Sequence, residues 1–310
     1  MLSRDWGAGE DIASIMSGDS FENVILTQTE GLALDMHKSH KNLNIIVLGG
    51  AGKGKTQSFV LPNLLQCNTS YVINDKNSYL LNETRETLEK NGYDIVVINV
   101  DELEKFTGRI YLGDAYKLNP EFFMEMERFE FREAGDRKMA LFINNTHKTN
   151  QEFTAEMYSV IIGFLFTKAK AIESGKLNRH VRFILDDFHD LGKIPGIEKY
   201  IAGMSFHNIS ASIIVHNLSK LKYIYPKTWE ELVHNCDSTL FMGCKERNTL
   251  EYMSERSRPV KAVQGVATTA GAPRITPNEL DNMLNEKCVL YIRGMKPFYS
   301  DKYNTLQEGD

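Results

Sequence analysis

The sequence has no Cys-x-x-Cys pair, and no His/Cys cluster with zinc-finger spacing. Its four cysteines, Cys67, Cys236, Cys244 and Cys288, stand singly. That pattern argues against a zinc ribbon or a disulfide framework and reads as reduced, mostly buried thiols of a cytosolic protein. Long apolar runs are also missing. The strongest, Val160 to Phe166, is far short of the ~20 residues that span a bilayer. The opening MLSRDWGAGEDIAS carries acids and lacks the apolar core of a signal peptide. Nor is there an excess of positive charge. A formal net charge of −5 argues against a passive nucleic-acid coat, yet it allows a motor whose cations line a channel while the outside stays acidic.

What the chain does have is an alternation of apolar strands and amphipathic helices. Asn42 to Leu48 is a continuous apolar run ending in glycines, suited to a buried parallel strand that feeds a loop. A helix over Gln57 to Leu65 follows, redirected by Pro62. Ser70 to Ile73, Asp94 to Val100, Met139 to Asn144, Val181 to Leu185, Ile209 to Val215, Ser238 to Met242 and Cys288 to Ile292 read as further strands. Helices are expected from Leu80 to Lys90 and from Gln151 to about Ser174. Strand, helix and strand joined by short links predict an α/β fold with a mostly parallel central sheet. Residues 1–40 read as an approach segment to a nucleotide-binding domain over 41–310. Residues 256–275, rich in Gly, Ala, Thr and Pro, are expected to form a mobile loop.

The sharpest chemical signal is Gly49-Gly50-Ala51-Gly52-Lys53-Gly54-Lys55-Thr56. It fits G-x-x-x-x-G-K-[ST] and lies between a strand and a helix, the context this loop requires. Glycines let the backbone N–H groups converge on phosphate oxygens, and the following helix points its positive end at the same anion. Lys55 is the candidate for the β/γ-phosphates, and Thr56 the candidate hydroxyl ligand of Mg²⁺. Together they predict binding of ATP with Mg²⁺.

A nucleoside-triphosphatase also needs a carboxylate behind the metal and a second to orient water. The strand Val181 to Leu185 runs into Asp186-Asp187. Asp186 is the candidate on the metal side and Asp187 the candidate base. Asp is one methylene shorter than Glu, and a misplacement of ~1 Å costs about 100-fold in rate. Hydrolysis is therefore expected to be slow unless the backbone compensates.

Four stretches resemble one family in its own order: Asn23 to Asn63, Val181 to Tyr200, Ile209 to Gly243 and Leu290 to Tyr303. They are similar to the ATPase domain of TraG/TraD-type coupling proteins of type IV secretion, above all those of Gram-positive conjugative elements. The resemblance implies a RecA-like P-loop motor domain in a homo-oligomeric ring, a hexamer in the family. Such a ring pumps single-stranded DNA with its attached relaxase towards a secretion channel. It also implies a cytoplasmic location, with the inner face of the plasma membrane reached through partners. Family members usually carry N-terminal membrane helices and an inserted helical domain. The interval from Thr56 to Asp186 looks too short for that insertion.

Several positions depart from the family pattern. Asp75-Lys76-Asn77-Ser78-Tyr79 replaces Asp-Pro-Lys-Gly-Glu, and Asp186-Asp187 replaces Asp-Glu. His216 takes the place of a Gln that senses the γ-phosphate, and Ser205 and His207 align with an arginine-bearing segment. His216 is open to two readings, a γ-phosphate contact or a strand-end cap. The departures give a second functional reading, a hydrolysis-poor adaptor or regulatory subunit of the conjugation machinery. Arg256, Arg258, Lys261, Arg274 and Arg293 are candidate DNA-backbone contacts, against the alternative of a solvated loop.

Overall fold

The computed structural model describes residues 5–101, 133, 135–146, 151–263, 266–269 and 271–304. Its strands, in chain order, are β1 (Asn23–Ile25), β2 (Gly31–Ala33), β3 (Ile45–Gly49), β4 (Ser70–Lys76), β5 (Asp94–Asn99), β6 (Met139–Asn145), β7 (Val181–Leu185), β8 (Ile209–Val215), β9 (Ser238–Gly243), β10 (Val260–Val263), β11 (Val266–Thr269), β12 (Lys287–Ile292) and β13 (Phe298–Asp301). The chain divides into two compact units, Met1–Asn63 with Ile213–Asp310, and Leu64–Ser212. The approach segment expected at residues 1–40 belongs to the first.

In the first unit the strand order is β13-β12-β9-β3. β3 pairs in parallel with β9, and its register shifts between Leu48 and Gly49, where the glycine loop begins. β12 is antiparallel to both β9 and β13. Every residue of β3 and β9 is buried, which explains the unbroken apolar run of β3 and the Leu240–Met242 run of β9. Pro62 shapes the helix after the loop. Proline has no N–H to give, and the chain responds with a π-type turn over Thr56–Val60, in which the Leu61 N–H reaches back to the Thr56 carbonyl. An α-helical turn, Leu61–Leu65, follows. Asn63, fully buried, bonds both the N–H and the carbonyl of Ile25, at 3.0 and 2.9 Å, and the Phe59 carbonyl at 2.8 Å. It ties this helix to the β1–β2 hairpin.

The second unit has the order β7-β4-β6-β5, parallel throughout. The helix Tyr79–Lys90 connects β4 to β5 and buries Leu80, Leu81, Thr84 and Leu88. Its Glu86–Lys90 pair closes at 2.6 Å. The helix Gln151–Ala171 buries Met157, Ile161 and Leu165, and also Tyr158 and Ile162, so its wide apolar surface is core. All four cysteines are free and buried. Among the described residues no helix is long and apolar enough to cross a membrane.

The segment expected to be a mobile loop is a correction to the sequence reading. β10 and β11 pair as an antiparallel hairpin, Val260 opposite Thr269 and Val263 opposite Val266. Small and polar residues suggested a loop, but valines and threonines favour strand. The cations around it hold the local framework. Arg256 donates to the Thr239 hydroxyl at 3.0 Å and lies over the Tyr291 ring. Arg258 binds Glu255, and Arg274 bonds the carbonyls of Ser257 and Asp5. Arg293 pairs with Asp237 at 2.8 Å and bonds the His234 carbonyl. Phe298 is buried in the core.

Candidate nucleotide site

The loop Gly49–Thr56 leaves the end of β3 and runs into the turn that starts at Thr56. Two of its glycines have positive φ, Gly52 at 70° and Gly54 at 80°, a region that side-chain-bearing residues enter only at a cost. Gly49 is needed for a different reason. A Cβ there would stand 3.0 Å from Lys55 Cγ and 3.2 Å from Met242 Cβ. The lysine stem packs down on a backbone that has no room for a methyl group.

The loop is braced on both limbs. The Gly50 N–H donates to the Gly243 carbonyl at 2.8 Å, and the Lys53 N–H to the Gly50 carbonyl at 3.3 Å. The Lys55 ammonium donates to the Gly50 carbonyl at 3.2 Å. Lys55 is buried, at 8% exposure, so its charge stays close to the loop instead of extending into solvent. A glycine-rich loop with a lysine folded back onto it and a threonine hydroxyl next in sequence suits a nucleotide phosphate and its Mg²⁺. Sequence reading missed Gly243, whose φ of 103° marks it as the strand-end partner of the loop. A glycine closing an apolar strand was the available signal.

In the second unit β7 presents the acidic pair. The Asp186 carbonyl accepts from Asn74 Nδ2 at 2.5 Å. Asn74 Oδ1 in turn accepts from Asn145 at 2.6 Å and from the Tyr158 hydroxyl at 3.3 Å. The Asp187 N–H donates to Asp186 Oδ1 at 3.0 Å, orienting that carboxylate along the turn. Asp187 is left-handed, φ 48° and ψ 45°, and its carbonyl accepts the Asp190 N–H at 2.7 Å. Lys76 pairs with Asp190 at 2.8 Å.

Two buried charges lie in the same unit. Arg182, inside β7, donates to the Ser212 hydroxyl at 3.1 and 2.9 Å, and burial pulls its guanidinium down to about 10. Asp75 accepts the N–H groups of Leu80 and Leu81, each at 2.9 Å. Burial raises its carboxyl above the usual range, against the pull of those bonds. The residue that opens the departing Asp75–Tyr79 segment is thus a helix cap. His207 bonds the Gly175 carbonyl at 2.7 Å and packs on the Phe166 ring. His216 follows β8 directly in the first unit.

Residues 16–108 match the family model described as Type IV secretory system Conjugative DNA transfer. Residues 180–257 match the model described as the TraM recognition site of TraD and TraG. No curated protein matches the chain. Among solved structures, the unbound bacterial conjugative coupling protein TrwBΔN70 superposes with a TM-score of 0.63 at 12% identity, covering 95% of this chain and 91% of that one. Plasmid coupling protein TrwB in complex with ADP and Mg²⁺ gives 0.62 at 12% identity, over 96% and 91%. VirB4 of Thermoanaerobacter pseudethanolicus gives 0.55 at 13% identity, over 96% and 100%. At such identities the likeness is one of fold, a RecA-like α/β architecture with a mostly parallel central sheet. The two family models, matched in order across more than half of the sequence, carry the assignment further: the chain belongs to the TraG/TraD-type coupling proteins of type IV conjugative DNA transfer.

Proposed function

We propose that the chain is the ATP-binding motor domain of a conjugative DNA-transfer machine. The braced glycine loop with Lys55 folded over it carries this reading, and the family assignment supplies the biological setting. Gly49, Gly50, Ala51, Gly52, Lys53 and Gly54 supply the backbone that cradles the phosphates, and Lys55 holds the β/γ-phosphates as a point charge. Thr56 and Asp186 are assigned to Mg²⁺, Asp187 to the attacking water, and His216 to the γ-phosphate. When bound, ATP would supply the phosphoanhydride whose cleavage drives movement, and Mg²⁺ would offset the charge of its phosphates. The substrate is single-stranded DNA with its relaxase, passed to a type IV secretion channel by a homo-oligomeric ring, a hexamer by analogy with the family.

The test is ATP turnover with and without single-stranded DNA, paired with mass determination in the presence of nucleotide. The motor reading expects DNA-stimulated turnover of roughly 1–100 s⁻¹. Tight nucleotide binding without turnover, in a chain with Asp187 where the family has Glu, would instead make it an adaptor or regulatory subunit. Absence of nucleotide binding would remove both readings.

A further inference from the structure

Lys302 lies directly after β13 and is buried, at 8% exposure. Its ammonium donates to the Lys53 carbonyl at 2.9 Å and to the Asn285 carbonyl at 2.5 Å. Its own N–H donates to the Glu286 carbonyl at 2.7 Å. The Lys53 ammonium reaches the Asn285 side chain at 3.4 Å. A cation from the edge hairpin β12–β13 is therefore clamped onto the middle of the glycine loop. Ordering so glycine-rich a segment is costly in entropy, so an outside brace has a role to fill.

The geometry fixes what the brace does. Among the described residues no peptide bond is cis, and in a planar trans peptide the C=O and the following N–H point in opposite directions. Drawing the Lys53 carbonyl towards Lys302 turns the Gly54 N–H away from it. The contact also neutralises a carbonyl oxygen that would otherwise repel an anion in the same loop. We propose that Lys302 is a positioning residue for phosphate binding, locking the Lys53–Gly54 peptide so that the Gly54 N–H faces the nucleotide. This inference rests on the nucleotide-site reading above.

The charge of Lys302 sits within experimental reach. Burial lowers its ammonium to about 8, the nearby Lys53 charge pushes the same way, and Cys288 and Glu286 oppose it. Above that pH the neutral amine keeps donors but loses the charge that strengthens them.

The experiment titrates a fluorescent ADP with Mg²⁺ into the purified chain, its Lys302→Met and Lys302→Arg variants, and Lys55→Ala. Lys302→Met is expected to weaken binding by about tenfold with an unchanged circular-dichroism melt, and Lys302→Arg to restore most of the affinity. Between pH 7 and 9 the wild type should lose affinity relative to Lys302→Arg, whose charge does not titrate there. Lys302→Met binding within twofold of wild type overturns the inference, as does an identical pH profile for wild type and Lys302→Arg. If Lys302→Met does not fold, the pH comparison decides alone. Loss of binding in Lys55→Ala with no effect at Lys302 fails this inference only. A wild type that binds no nucleotide fails the functional reading and takes the inference with it.

Discussion

The Lys55 ammonium donates to the Gly50 carbonyl across 3.2 Å, so the last cation of the loop closes back on its second glycine. It must exchange that carbonyl for a phosphate oxygen when nucleotide enters, a swap between charge-assisted hydrogen bonds. Lys55→Ala is expected to weaken ADP and ATP binding by about 100-fold or more, and to abolish turnover. Isothermal titration calorimetry of the variant checks this, and near-normal affinity would mean that the lysine does not meet phosphate.

Asn63, itself fully buried, joins the helix after the loop to β1 through both polar groups of the half-buried Ile25. Asn63→Ala removes the protein partner of a half-buried N–H and carbonyl, which costs about 1–3 kcal/mol. The urea midpoint should fall with an unchanged slope. A stability loss under about half a kcal/mol, the midpoint shift multiplied by the slope, would show that the hairpin rearranges to satisfy itself.

Asp187 separates stability from chemistry. Its left-handed backbone costs a side-chain-bearing residue roughly 1 kcal/mol relative to glycine. Asp187→Gly should therefore hold or raise the melting temperature while cutting turnover by about 100-fold. A lower melting temperature would mean that side-chain contacts outweigh the backbone cost. Asp187→Glu should raise turnover by roughly 10-fold or more if the missing methylene limits the rate. An unchanged rate would show that the Asp carboxylate already reaches its water.

His180 predicts acid sensitivity. Its ring nitrogens sit 2.9 Å from Asn208 Oδ1 and 2.8 Å from Ser210 Oγ, and burial lowers it to about 4. The unfolded chain takes up its proton near 6.5 while the folded chain resists until about 4, so stability is full above the first value and falls across that window. The residue as a whole is only half-buried, and the loss stays below about 3 kcal/mol. His180→Gln should flatten the dependence of the urea midpoint on pH between 6.5 and 4. An equally steep profile in that variant would assign the loss to other groups.

The sheet was legible wherever strands are buried on both faces. β7 and β8 have the ends that their apolar runs suggest, and β3 leads into the glycine loop as its sequence requires. Short or half-exposed elements were not. β2 has three residues and β13 alternates buried with exposed positions over four, too few to establish a period. The helix Pro277–Asp281 could have been found, because Thr276, Pro277 and Glu279 spell out a capping box with proline at its first turn. The long-range braces could not. Nothing near Lys302 in sequence announces that its ammonium meets Lys53, nor does anything near Asn74 announce Asp186.

The outermost strand of the first unit bears on assembly. β13 is four residues long, turns Phe298 and Ser300 inward, and ends in an ion pair between Asp301 and Lys287 at 2.7 Å. A rim so brief and so charged is a poor template for an incoming backbone from another molecule. Copies of this chain that associate along that side must therefore meet through side chains rather than by continuing the hydrogen-bonded ladder, and concentrated solutions should resist fibril growth from it.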